Sequence, residues 1–138
     1  MPRYLLDTNV LSALTKPVPN ERVLKRFRRH ELHVATTSLV WNELFFGYLR
    51  LLPSKRRETL GQFLEQVLRP ALLVLPYDSA AAEWHALERA RLEKAGSIPP
   101  FIDGQIAAIA HVNDLVLVTA DRKDYALFEG LTIEDWRS

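Results

Sequence analysis

Two aspartates stand just behind apolar runs of the kind that form buried parallel strands. Asp7 follows Tyr4-Leu5-Leu6, and Asp121 follows Leu115 to Val118 after Thr119-Ala120. In open α/β sheets ligands bind beyond the carboxyl ends of the strands, so these are the first places to look for chemistry. Taken singly, each is an ordinary turn former or helix cap. Two further acids are harder to explain that way. On a helical period Glu43 lies next to Val40, Phe46 and Gly47, at the edge of an apolar stripe, with no basic residue three or four positions away. Asp103 falls on the side of Ile106, Ala107 and Ala110, in the first turn of its helix, where the macrodipole alone favours a carboxylate by about 0.3–1 kcal/mol. Four carboxylates at the rim of one core repel one another and are costly to ionise, so a positive charge is expected among them. Carboxylate oxygens without histidine or cysteine select hard divalent cations, Mg²⁺ or Mn²⁺. Such ions activate water and clamp the oxygens of a phosphodiester during in-line displacement, singly or in pairs.

Competing chemistries find less support. The chain has no cysteine, which excludes a disulfide scaffold, a thiolate zinc site and a cysteine nucleophile. Its histidines lack metal-ligand spacing: His30 and His33 flank a turn, and His85 and His111 lie in helices at no useful interval, so none receives a role. No glycine-rich dinucleotide or P-loop pattern occurs among the five glycines. An aspartyl-phosphate phosphotransferase with Asp7 as nucleophile is an alternative, but the second aspartate expected two positions on is Asn9. A non-catalytic RNA- or protein-binding module is another, disfavoured because a site freed of metal chemistry has no reason to tolerate four mutually repelling acids.

The elements that must position these residues are legible in outline. Tyr4 to Leu6 reads as a strand, followed by a polar turn and a helix ended by Pro17 and Pro19. Asn20 caps a second helix, Glu21 to His30, whose reverse face is basic. After a strand from His33 to Thr36, Thr37 or Ser38 caps an apolar helix to Leu51, stopped by Pro53. Ser54 opens a further helix that Pro70 is expected to close, and Leu72 to Leu75 is the next strand. Asp78 caps a helix from Ser79 to about Ala95, with Gly96 at its end. A helix from Phe101 to Asn113-Asp114 precedes the strand Leu115 to Val118, and a last short strand lies near Leu131 to Ile133. Strands alternating with helices predict an α/β fold: a central, mostly parallel β-sheet flanked by α-helices on both faces.

At 138 residues, 48% hydrophobic and 25% charged, the composition predicts a single globular domain over 1–138 with one sizeable core. The longest apolar run, Pro70 to Pro76, is far shorter than a membrane span, and Asp7 interrupts the N-terminal apolar stretch a signal peptide would need, so a cytoplasmic protein is expected. A net charge of +1 means that attraction for nucleic acid must come from local patches. Lys25-Arg26-Arg28-Arg29 and Lys55-Arg56-Arg57 are as readily solvated faces, whereas Arg122-Lys123 adjoins Asp121 and is the better candidate for an RNA backbone contact. The helices around Phe45 to Leu52 and Leu60 to Leu68 carry more apolar residues than one core-facing stripe accommodates, which predicts a homodimer and a protein partner.

Four segments in order, Leu5-Leu6-Asp7-Thr8-Asn9, Trp41-Asn42-Glu43-Leu44, Ile102-Asp103-Gly104-Gln105-Ile106-Ala107 and Val118-Thr119-Ala120-Asp121, resemble the successive motifs of PIN-domain nucleases, and most of all the VapC toxins of prokaryotic toxin–antitoxin pairs. The resemblance spans essentially the whole chain. It implies a PIN-like fold and a metal-dependent endoribonuclease with a Mg²⁺ or Mn²⁺ site, leaving 5′-phosphate and 3′-hydroxyl ends, together with a cognate antitoxin as partner. Carried over residue by residue, it implies Asp7, Glu43, Asp103 and Asp121 as the catalytic, metal-holding quartet. Thr8 and Asn9 match the polar residues after the first acid, and Thr119 the hydroxyl near the fourth. Asp124, just before Tyr125, competes with Asp121 for the fourth position.

Overall fold

The computed structural model describes residues 1–138. Five strands, β1 (Tyr4–Leu6), β2 (Val34–Thr37), β3 (Leu73–Leu75), β4 (Val116–Val118) and β5 (Ile133–Glu134), form one all-parallel sheet in the order β3-β2-β1-β4-β5. The chain therefore builds outward from β1 to one edge, then crosses back to β4 and builds to the other. Helices α1 (Thr8–Leu14) and α2 (Glu21–Arg29) link β1 to β2, and α3 (Ser38–Leu49), α4 (Lys55–Phe63) and α5 (Arg69–Ala71) lie between β2 and β3. Helices α6 (Ser79–Lys94) and α7 (Phe101–Val112) make the return to β4, and the short α8 (Arg122–Tyr125) precedes β5. With right-handed crossovers, reversing the direction of travel moves the connecting helices to the opposite face, so α1–α5 cover one side and α6–α8 the other. The reversal falls between β1 and β4, the switch point where open sheets leave a crevice.

Local chemistry explains most boundaries. Asn20, Thr37, Ser54 and Asp78 each accept backbone N–H bonds at the start of their helices, as their residue types predict. Gly96 ends the α6 segment at φ +81°, a left-handed conformation that favours glycine. A core cluster of 28 buried residues joins the sheet to both helical layers. The central strands β1 and β2 are buried throughout, and no helix is long and apolar enough to cross a membrane.

Three expectations need correction. Pro70 does not close its helix: the chain passes from α4 through a π-helical turn, Leu64–Leu68, in which the Arg69 N–H reaches back to the Leu64 carbonyl, and continues to Ala71. A widened turn at this point suits proline, whose missing N–H and ring disrupt an ordinary i−4 bond. Leu64 and Leu68 are fully buried, so of the apolar surplus predicted there only Val67 stays exposed, beside Phe46, Leu49 and Leu52 on the preceding segment. Finally, the sequence pattern predicts no helix at α8, and the last strand lies at Ile133–Glu134, slightly beyond its predicted position.

Candidate active site

The register of β1 on β4 pairs Leu6 with Val118, so the next residues, Asp7 and Thr119, leave the sheet side by side. The Asp7 N–H extends the ladder by donating to the Val118 carbonyl at 3.0 Å. Its buried carboxylate accepts from the Thr119 hydroxyl at 2.8 Å on Oδ2 and from the Thr8 N–H at 2.8 Å on Oδ1. Burial pushes the Asp7 carboxyl above its usual range, against the opposing effect of those bonds and of the Tyr125 hydroxyl, and nearby Asp121 raises it further.

Polar side chains from α1 tie the rest of the rim to Asp7. Thr8 donates through Oγ1 to Glu43 Oε2 at 3.1 Å, bringing α3 to the same edge. Asn9 donates to Asp121 Oδ2 at 3.0 Å and to Thr119 Oγ1 at 3.3 Å, while its Oδ1 accepts the Ala120 N–H at 3.0 Å. The Asp121 N–H donates to Thr119 Oγ1 at 3.0 Å, and the Asp121 side chain caps no helix, so an ordinary capping role does not explain it. Asp103 enters from α7, half-buried. Its pKa is pushed up to about 6, first by burial and then by the like charges of Asp124, Asp7, Asp121 and Glu43.

All four predicted acids thus surround one crevice, and Thr8, Asn9 and Thr119 are the hydrogen-bonding links between three of them. Glu43 lies exposed on the outer rim, less interior than its apolar neighbours suggested. Asp124 joins the cluster and exerts the largest like-charge effect on Asp103, so both candidates for the fourth position contribute negative charge. Arg122 and Lys123 are exposed at the start of α8. Tyr125 was missed: it is buried one helical turn after Asp121, faces Asp7, and its hydroxyl is held far above its usual pKa by burial and the surrounding carboxylates. Its four-residue spacing from Asp121 would have signalled this only if the short helix had been foreseen.

No arginine or lysine forms a salt bridge with Asp7, Glu43, Asp103, Asp121 or Asp124; the ion pairs of the molecule are Arg69–Glu65, Arg91–Glu88, Arg91–Glu129 and Arg137–Asp135. The carboxylates are spread around the rim, and no three acidic or histidine side chains form a closed metal-binding group. The donor set nevertheless fits a hard divalent cation: its oxygens are anionic, none is held in a salt bridge, and no sulfur or imidazole nitrogen competes with them.

Comparison with known proteins identifies the family and the fold. The PIN domain family model matches residues 4–128. Toxin FitB of Neisseria gonorrhoeae is 32% identical over 135 residues, covering 96% of this chain and 97% of that protein. The tRNA(fMet)-specific endonuclease VapC of Salmonella typhimurium is 30% identical over 137 residues, covering 99% of each. Among solved structures, DNA-bound VapBC from Salmonella typhimurium superposes with a TM-score of 0.83 at 31% identity, over 99% of both chains. With its crevice at the β1/β4 switch point, its motifs in order and relatives matched along their full length, the chain belongs to the PIN-domain family, among the VapC and FitB toxins.

Proposed function

We propose that this protein is a Mg²⁺- or Mn²⁺-dependent endoribonuclease toxin restrained by a cognate antitoxin, with the ion held by Asp7, Glu43, Asp103 and Asp121. The observation that carries the reading is a crevice of five carboxylates, none of them in a salt bridge, three of which (Asp7, Glu43 and Asp121) are linked through neutral hydroxyl and amide groups. When bound, a divalent ion supplies a water of lowered pKa and positive charge for the phosphodiester oxygens. Thr119 and the Thr8 N–H fix Asp7 while leaving further lone pairs on each oxygen. Asn9 holds Asp121 against the β4 exit, and Thr8 restrains Glu43. The exposure of Arg122 and Lys123 next to Asp121 supports a role for them in meeting RNA phosphates. Burial of Asp7 and the two hydrogen bonds on its oxygens weaken it as a nucleophile, which counts against the aspartyl-phosphate alternative. The single core cluster supports residues 1–138 acting as one domain. Exposed apolar side chains supply surface for a homodimer and the antitoxin: Phe46, Leu49, Leu52 and Val67 on one side, Leu87, Ile98, Phe101 and Ile102 on the other.

The test is cleavage of single-stranded RNA by the purified protein with Mn²⁺ or with EDTA, beside Asp103→Asn. Wild type is expected to cut only with metal, leaving 5′-phosphate ends, and the variant to be inactive. Equal cleavage in EDTA, or full activity of Asp103→Asn, overturns the metal-site reading.

A further inference from the structure

Asp103 stands at the start of α7 among like charges that push it away from the rim, and within its own helix only the macrodipole favours its charge there. The N-cap of α7 is Pro100, which offers no side-chain hydrogen bond. What opposes the push lies across the α6–α7 interface. His85 of α6 is buried to 2% exposure and shares a 2.8 Å hydrogen bond between Nδ1 and the Tyr77 hydroxyl. The other edge of its ring enters the notch at Gly104, the residue next to Asp103. A β-carbon on Gly104 would collide with His85 Nε2 and fall 2.7 Å from Cδ2, well inside contact distance. Gly104 has no positive φ, so the backbone does not demand glycine here, and alanine would suit a helix better by about 0.8–1.0 kcal/mol. The missing side chain serves the close approach of His85. Phe101, in the same first turn, packs on the His85 ring at 4.8 Å between centroids and lies under the Arg89 guanidinium at 4.8 Å.

We infer that Tyr77, His85 and Gly104 form a joint that sets the position of Asp103: Tyr77 fixes the His85 ring, and the ring, seated against Gly104, locates the first turn of α7. Tyr77 and His85 are positioning residues that act through Gly104 and make no contact with RNA. The inference rests on the proposed role of Asp103 in holding the ion. It also gives a function to a histidine that sequence spacing left without one.

The test is Mn²⁺ binding to the RNA-free protein, followed by the paramagnetic signal of free Mn²⁺, with steady-state cleavage alongside. Tyr77→Phe keeps the ring and removes only the hydrogen bond; it should retain the native circular dichroism, weaken Mn²⁺ binding several-fold and lower kcat with KM for RNA unchanged. Gly104→Ala should weaken Mn²⁺ binding at least tenfold. Adding His85→Ala to Gly104→Ala opens room for the new methyl and should restore part of that loss, a rescue that general destabilisation does not produce. A core variant away from the joint, Leu68→Val, should lower the melting temperature and leave Mn²⁺ affinity unchanged. If Asp103→Asn weakens Mn²⁺ binding but Tyr77→Phe, and Gly104→Ala where it folds, bind as wild type does, the joint is overturned and the metal site stands. If Asp103→Asn itself binds Mn²⁺ as wild type does, the metal-site reading falls and takes this inference with it.

Discussion

Asp7 and Glu88 are buried to nearly the same degree, 6% and 7% exposed, yet their acidities move in opposite directions. Glu88, on α6, accepts two bonds from Arg91 at 2.9 Å each and the Glu129 N–H at 2.8 Å, and these hold its carboxyl below the usual range despite burial. Asp7 carries its carboxylate deeper in the protein, accepts only neutral donors and has Asp121 nearby, so burial wins and its carboxyl is raised. The chain therefore has an arginine able to neutralise a buried carboxylate, and pairs Arg91 with Glu88; Arg69 pairs with the exposed Glu65, and Arg137, which donates to the Ala120 carbonyl at 3.3 Å and lies near Asp121, is tied to Asp135. Like charges left uncompensated in a folded protein are a standing cost, and a bound cation removes it. The contrast separates a carboxylate neutralised within the fold from the carboxylates proposed to hold an ion.

The sharpest way to break the contrast is substitution in the crevice. Asp7→Asn and Asp103→Asn should each reduce RNA cleavage by orders of magnitude, while the metal-free melting temperature stays constant or rises because one repelling charge is gone. Loss of both activity and metal-free stability would place these acids with Glu88 as structural. Next in size is the response to metal. Wild type should gain about 2.7 kcal/mol at a hundredfold excess of Mn²⁺ over its Kd, and the gain should shrink in both variants when melts are run with and without the ion.

Glu88→Gln should do the converse, costing about 1–3 kcal/mol by weakening the Arg91 pair and the bond from the Glu129 N–H, with cleavage per folded molecule unchanged. Chemical denaturation together with an activity assay at 25 °C checks both halves. The pH dependence should also split. Asp103, near 6 in the folded state against 3.8 unfolded, contributes stability fully present below about 3.8 and lost as pH rises through 6. Glu88 contributes stability that is present above 4.5 and lost as pH falls through its lower folded value. In metal-free melts from pH 3 to 8, Asp103→Asn should therefore flatten the decline above pH 4, and Glu88→Gln the decline at the acid end. The smallest effect should come from Glu65→Ala: its pair with Arg69 is exposed on both sides, and no measurable change in melting temperature is expected.

What the sequence by itself determined is mostly local. Helix starts at Asn20, Ser54 and Asp78 follow from side chains that cap N–H groups two or three residues away, and the apolar run Tyr4–Leu6 has no use outside a buried strand. The acids were visible because aspartates behind apolar strands, and acids on apolar helix faces without cationic neighbours, stand out against composition. Tertiary structure alone decided how they meet. Asp7 and Thr119 are 112 residues apart and touch because β1 and β4 pair at one register; a slip of one residue would send each side chain to the other face. The same holds for Tyr125 facing Asp7, for Arg91 choosing Glu88, and for His85 filling the notch at Gly104. The helix running past Pro70 depended on tertiary burial of Leu64 and Leu68 around a widened turn, which outweighed proline's local tendency to end it. Capping and periodicity act over a few residues and can be read along a line, whereas pairing, burial and the sum of charges at a point exist only once distant segments occupy the same space.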